Sequence, residues 1–151
     1  MKLVKVNKQF YIDALSNGTN KELLENEAGR PCVLIIDLIY KGVKRKFVVP
    51  LRSNISNKTP KNQFFSLPPN NKTKPGNHHG IHYIKLFPIN MKYVNNYLIE
   101  GDSFLKLIKE IIDKNESVIV KACQNYLIDV ENGKGSTFTP DIDGILDWID
   151  N

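Results

Sequence analysis

Arg52, Ser53 and Asn54 stand at the end of the apolar stretch "FVVPL" in "FVVPLRSNIS", with no acid nearby. A guanidinium, a hydroxyl and an amide at a sheet edge suit a phosphate: the arginine binds bidentately, the serine through its hydroxyl, and free backbone N–H groups add to both. An ordinary polar turn, with Ser53 and Asn54 bonding their own backbone, accounts for the same residues. The second cluster is "HHGIHYIKLFPI", with His78, His79 and His82 around Gly80. Imidazole titrates near neutrality and suits proton transfer. His79 and His82 also have a spacing that admits a metal, but no carboxylate or thiol lies nearby in sequence to complete a ligand set. No metal or cofactor is therefore expected. Exposed loop histidines without special contacts are the plainer reading of His78 and His79. Tyr11 and Tyr83 are the expected surface aromatics for stacking on unpaired bases, while most of Phe10, Tyr40, Phe64, Phe65 and Phe87 belong to a core.

The charge pattern gives these clusters a context. From Leu38 to Ile99, 62 residues contain no Asp or Glu, but 11 Lys or Arg and all three histidines. The segment from Glu100 to Asn151 carries 5 basic and 11 acidic residues. A polyanion partner explains a stretch free of carboxylates, because a nearby anion weakens each phosphate contact. A solvated basic face is the plainer alternative.

The elements that must position these groups follow from periodicity. The 151 residues, 41% hydrophobic and 25% charged, fit a single domain over 1–151. Leu3 to Val6 read as a short strand and Gln9 to Leu15 as a short helix stopped near Gly18. Residues 19–30 are loop-like. Pro31 to Tyr40 is a central strand, and "KGVK" turns it into Arg45 to Leu51, a hairpin whose second arm leaves the sheet near Pro50. Pro68 to Gly80 reads as a long basic mobile loop. Asn62 to Leu67, Ile81 to Ile89 and Lys92 to Asn95 are further strands. The period then becomes helical: Asp102 to Lys114, Glu116 to Val130 closed by Gly133, and a last helix capped by Thr139 with Pro140 at its first position. Strands first and helices later predict an α+β fold, with acidic helices on one side of the sheet and basic strands open on another. Cys32 and Cys123 lie in apolar stretches without CxxC spacing, as reduced thiols do. The N-terminus has no signal-peptide character, no run is long enough for a membrane span, and a cytoplasmic protein is expected.

With these residues in view, the chain resembles the endoribonuclease toxins of type III toxin–antitoxin systems, the ToxN/AbiQ/CptN group. The likeness is carried in order by "FYIDAL", "RPCVLIIDLIYKGVKRKFVVPLRSN", "GIHYIKLFPI" and the terminal helices. It implies a strongly twisted antiparallel sheet of the Kid/MazF kind flanked by helices, with a mainly helical C-terminal half. It implies metal-independent cleavage of single-stranded RNA to 2′,3′-cyclic phosphate and 5′-hydroxyl ends. The implied partners are cellular RNA and a repeated RNA pseudoknot antitoxin, which the toxin processes and with which it forms a closed RNA–protein assembly. Ser53 falls on the family's active-site serine and Tyr11 on its N-terminal tyrosine. Arg30 stands where the family has a basic residue before the central strand. Arg52 stands where a relative has threonine, and Ile55 replaces a lysine.

On this reading Arg52, Arg30 and Lys85 hold the phosphate and Ser53 positions it or the attacking hydroxyl. His82 or His79 moves a proton, and Tyr11 orients the RNA. Lys58, Lys61, Lys72 and Lys74, with His79 and Tyr83, contact the strand. A non-catalytic RNA- or DNA-binding module is the alternative, and a metal-dependent nuclease a third class.

Overall fold

The computed structural model describes residues 1–24 and 33–151. In chain order its elements are β1 (Lys2–Val6), α1 (Lys8–Ser16), β2 (Val33–Tyr40), β3 (Val43–Ile55), β4 (Phe64–Leu67) and β5 (His78–His82). They continue with β6 (Phe87–Pro88), β7 (Val94–Asn96), α2 (Ser103–Lys114), α3 (Glu116–Glu131) and α4 (Ile142–Leu146). The fold is α+β, a curled antiparallel sheet with its long helices in the C-terminal half. The strand order is β4-β5-β3-β2-β1-β7, and β6 pairs with β3.

The hairpin at the centre is sharply specified. Tyr40 pairs with Val43, so Lys41 and Gly42 alone make the turn. Both have positive φ (50° and 79°), the two-residue geometry that matches the right-handed twist of the flanking strands. β3 does not stop at Leu51, as its sequence suggests. Its first half pairs with β2 as far as Pro50 opposite Val33. It then continues through Arg52 to Ile55 against β5, with an irregular register between Arg52 and Ile55. Pro50, which has no N–H to donate, sits where β3 exchanges one neighbour for the other.

Alternation along β3 builds two cores. Phe47 and Val49 join Ile108, Ile112, Ile119 and Leu127 under α2 and α3. Val48 joins Phe10, Phe87, Trp148 and Ile149 under α1 and the C-terminal segment. The middle of the sheet is thus covered on both faces. On the second face Phe10 stacks on Phe87 with centroids 5.1 Å apart, and Trp148 Nε1 donates to Thr19 Oγ1 at 2.9 Å.

Other expectations change for local reasons. His78 to Gly80 are not loop but the first part of β5, held between β4 and β3. Ile81 to Ile89 is not one strand, because a 3₁₀ turn over Tyr83–Lys85 separates β5 from β6. Asp102 caps α2, its carboxylate accepting the Leu105 N–H at 2.9 Å. The last helix is capped by Asp141 rather than Thr139; the Thr139 hydroxyl is engaged by the Tyr126 hydroxyl at 2.6 Å. Cys123 is buried in α3, where desolvation pushes its thiol up to about 12, leaving it a packing residue. Cys32 lies outside the described residues. Among the described residues, no helix is long and apolar enough to cross a membrane.

Candidate functional site

The second half of β3 carries the polar cluster. In an extended strand, successive side chains point to opposite faces. Arg52 and Ser53 therefore do not share a site: they line two different clefts.

The Ser53 cleft, about 580 Å³, lies between β3, the loop before β5 and the start of α2; it is lined by Leu51, Ser53, Asn70, Lys72, His79, Tyr97 and Phe104 among others. Ser53 is half-buried, and its Oγ accepts a hydrogen bond from Asn70 Nδ2 at 2.8 Å. Its own hydroxyl proton is left for another acceptor. Asn54 reaches the same loop: its amide donates to the Lys72 carbonyl at 2.8 Å, and its side-chain oxygen accepts the Lys74 N–H at 2.7 Å. The two residues thus tie down the 68–77 loop and do not close a turn on their own backbone.

His79 completes this cleft. It is 5% exposed and packs on Phe104 with ring centroids 6.0 Å apart and planes 27° from parallel. Its Nδ1 lies 2.7 Å from the Pro68 carbonyl oxygen. A carbonyl only accepts, so Nδ1 carries the proton and Nε2 holds the lone pair of the neutral ring. Burial lowers its pKa and outweighs the opposing effect of the Pro68 bond. His79 is thus neutral near pH 7, with a basic nitrogen.

The Arg52 cleft, about 540 Å³, is lined by Leu24, Arg52, Ser56, Lys58, Gln63, His82, Lys85 and Phe138 among others. Arg52 Nη1 lies 3.2 Å from His82 Nδ1. A guanidinium only donates, so here Nδ1 holds the lone pair and the ring proton sits on Nε2. The two histidines therefore have opposite tautomers, fixed by opposite partners. Burial, then the charges of Arg52 and Lys85, push the His82 pKa down to about 4. His82 Nε2 is buried and has no hydrogen-bond partner among the described residues.

The other predicted residues divide clearly. Lys85 faces the Arg52 cleft, but it is 6% exposed and pinned by the Glu22 carboxylate at 2.7 Å. Lys58 lines the Arg52 cleft and Lys72 the Ser53 cleft. Lys61 begins a 3₁₀ turn before β4, and Lys74 lies in the 68–77 loop. Tyr83 is not a surface aromatic: it is 3% exposed within the core under α2 and α3. Tyr11 is partly buried, and its hydroxyl donates to the Leu24 carbonyl at 3.2 Å, beside the Arg52 cleft. Arg30 lies outside the described residues. Asn70, Tyr97 and Phe104 were not anticipated. Asn70 reads as turn punctuation, Phe104 reaches the cleft through the placement of α2, and Tyr97 reaches it from the segment after β7. Among the described residues, no three or more His, Cys, Asp or Glu side chains are gathered where they could hold a metal ion.

Tertiary pairing also sorts the cations. Lys41, Arg45 and Lys46, on the hairpin end of β3, face Asp143, Asp150 and Asp37. Among the described residues, Arg52, Lys58, Lys61, Lys72 and Lys74 form no ion pair with a carboxylate. Arg52, Lys58 and Lys72 thus bring unpaired cations to the two clefts, while Asp102 is a carboxylate in the lining of the Ser53 cleft.

The His82 environment has a measurable consequence. The unfolded chain takes up a proton at this residue near pH 6.5, and the folded chain only near 4. The unfolded state binds more protons in between, so stability falls as pH is lowered through that window, by roughly 3 kcal/mol. Urea unfolding at pH 7, 5.5 and 4.5 checks this. In His82→Gln the decline should be visibly shallower; an equal decline in both proteins refutes the assignment.

Comparisons bear on the fold. No protein-family model matches the chain, and no curated protein matches it. Among solved structures it is similar to a chain from a study described as "A processed non-coding RNA regulates a bacterial antiviral system". The sequence identity is 19%, the TM-score 0.71, and the match covers 99% of this chain and 98% of that one. The likeness spans the whole curled sheet and its helices, so the two chains share one fold from end to end.

Proposed function

We propose that this protein is a metal-independent endoribonuclease toxin of a type III toxin–antitoxin system, acting in the cytoplasm. It cleaves single-stranded RNA, and it processes and is held by a repeated pseudoknot RNA in a closed assembly. The observation that carries the proposal is His79. It is a buried neutral imidazole whose tautomer is set by Pro68, and it lines one cleft with Ser53 and Lys72. The sequence resemblance to the toxin family and the fold shared with a chain from an RNA-regulated antiviral system support the same reading.

The reaction needs in-line geometry, a proton acceptor, a proton donor and stabilisation of added negative charge. His79 Nε2 takes the proton of the ribose 2′-hydroxyl. The 2′-oxygen attacks the adjacent phosphorus as the bond from phosphorus to the 5′-oxygen breaks. The departing 5′-oxygen takes a proton from Lys72, leaving a 2′,3′-cyclic phosphate and a 5′-hydroxyl. Ser53 donates its free hydroxyl proton to a non-bridging oxygen, its lone pair fixed by Asn70. Tyr97 and Phe104 offer flat walls to the flanking bases. His82 is excluded as the base, because its lone pair is committed to Arg52.

The test is incubation of the purified protein with single-stranded RNA in EDTA, followed by end-group analysis. Fragments with 5′-hydroxyl and cyclic phosphate ends are expected. Binding without cutting would make the chain a nucleic-acid-binding module, and cutting abolished by EDTA would make it a metal nuclease. Either result overturns the proposal.

A further inference from the structure

The mechanism above leaves the Arg52 cleft unused, and that cleft has its own signs of a ligand. Arg52 is a partly buried cation whose only hydrogen-bonding partner among the described residues is a neutral ring nitrogen. Desolvation by burial already lowers its pKa. A guanidinium taken out of water without a carboxylate is costly unless an anion joins it. His82, 4% exposed, leaves Nε2–H without an acceptor among the described residues. A third donor, Lys58, faces the same cleft. Lys85 is already satisfied by Glu22, so it contributes structure and not free charge.

We infer that the Arg52 cleft is a second phosphate-binding site, separated by the sheet from the Ser53 cleft, in which Arg52 and Lys58 hold a phosphate oxyanion. His82 is a positioning residue here. It accepts one N–H of the guanidinium through Nδ1, which fixes the fork and leaves the remaining N–H groups for the ligand. The phosphate comes either from the backbone of a bound strand or from a free phosphate compound. The inference is separate from the cleavage proposal, since it concerns binding on the other face and is read without any cutting.

Two binding measurements on the full-length chain test it. The first titrates inorganic phosphate while following the imidazole nitrogens by NMR and the heat of binding by calorimetry. Phosphate is expected to shift the signal of His82 Nδ1, the nitrogen that holds Arg52. Affinity should drop about tenfold or more in Arg52→Gln, a comparable amount in His82→Leu, and much less in His82→Gln, which keeps an acceptor for Arg52. The second measures binding of a single-stranded DNA oligonucleotide, which cannot be cleaved through a 2′-hydroxyl, at several salt concentrations. Loss of one phosphate contact reduces the slope of log affinity against log salt by about 0.7.

A reduced slope in Arg52→Gln assigns the site to the strand. Phosphate binding with an unchanged slope keeps the site and assigns it to a free phosphate. If the folded variants show neither effect, the inference is wrong. Thermal melting of Arg52→Gln, His82→Leu and His82→Gln shows that each is folded, and Lys58→Gln, on an exposed turn, provides a variant that leaves the sheet untouched. Failure of RNA cleavage in EDTA would not affect any of these outcomes.

Discussion

His79→Ala should lose about 10²- to 10⁴-fold in the rate of RNA cleavage, the range of a positioned general base. The reason is the division of labour between two histidines only three positions apart. Pro68 takes the Nδ1 proton of His79 as a hydrogen bond and leaves Nε2 basic. Arg52 takes the Nδ1 lone pair of His82 and leaves Nε2 protonated. Only the first ring can accept a proton from a 2′-hydroxyl while neutral.

The pH profile separates this role from a packing role, which matters because His79 also packs on Phe104. The rate should fall on acidification, about tenfold per pH unit below the His79 pKa, and the midpoint should lie below the ordinary 6.5 because burial disfavours the imidazolium. His82→Gln should keep that limb, whereas His79→Gln, which preserves size and hydrogen bonding but cannot titrate, should abolish it. Cleavage at full rate by His79→Ala, or an unchanged acid limb in His79→Gln, would remove His79 from the mechanism.

Gly80→Ala should cost at least about 3 kcal/mol of stability, lowering the melting temperature by roughly 6–12 °C. Gly80 lies opposite Arg52 on one side and Ser66 on the other. A Cβ there would come 2.3 Å from the Phe65 carbonyl oxygen and 3.2 Å from its carbonyl carbon. Those are backbone atoms of a paired strand, so relief requires β4 and β5 to separate. The effect reaches function, because β5 carries His79 on one face and His82 on the other. Thermal melting with circular dichroism checks the prediction, and a variant within 1 °C of the parent contradicts it. Gly133→Ala is the useful contrast. Its Cβ meets nothing within 4 Å, and only its positive φ of 73° resists the change, a cost of about 1 kcal/mol.

Much of the architecture was legible in the residues. Val33 to Tyr40 and Phe47 to Val49 are β-branched and aromatic runs around a Lys-Gly turn, and they pair as a hairpin. Ile108 and Ile112 in α2, and Ile119, Cys123 and Leu127 in α3, repeat at helical spacing and are all buried. Gly18 and Gly133 end the helices they follow, with positive φ. These are local signals: each depends on the period of side chains along a short segment and needs no knowledge of distant neighbours.

The site was legible in composition but not in arrangement. The sequence by itself determined that cations and histidines crowd a segment free of carboxylates, and that Arg52, Ser53, His79 and His82 belong to it. Tertiary structure decided which of them meet. β3 runs past Leu51 only because β5 is there to pair with it, and that pairing spans 30 residues of chain at Leu51–Ile81 and 23 at Ile55–His78. Once the strand continues, alternation sends Arg52 and Ser53 to opposite faces. Long-range ion pairs likewise engage Lys41 and Arg45 at the hairpin end of β3 and, among the described residues, leave Arg52 at the other end without a carboxylate. The proton positions on His79 and His82 are set by a carbonyl eleven residues away and a guanidinium thirty residues away. Propensity and periodicity are properties of neighbours in sequence, whereas the face, charge and tautomer of a side chain belong to its neighbours in space.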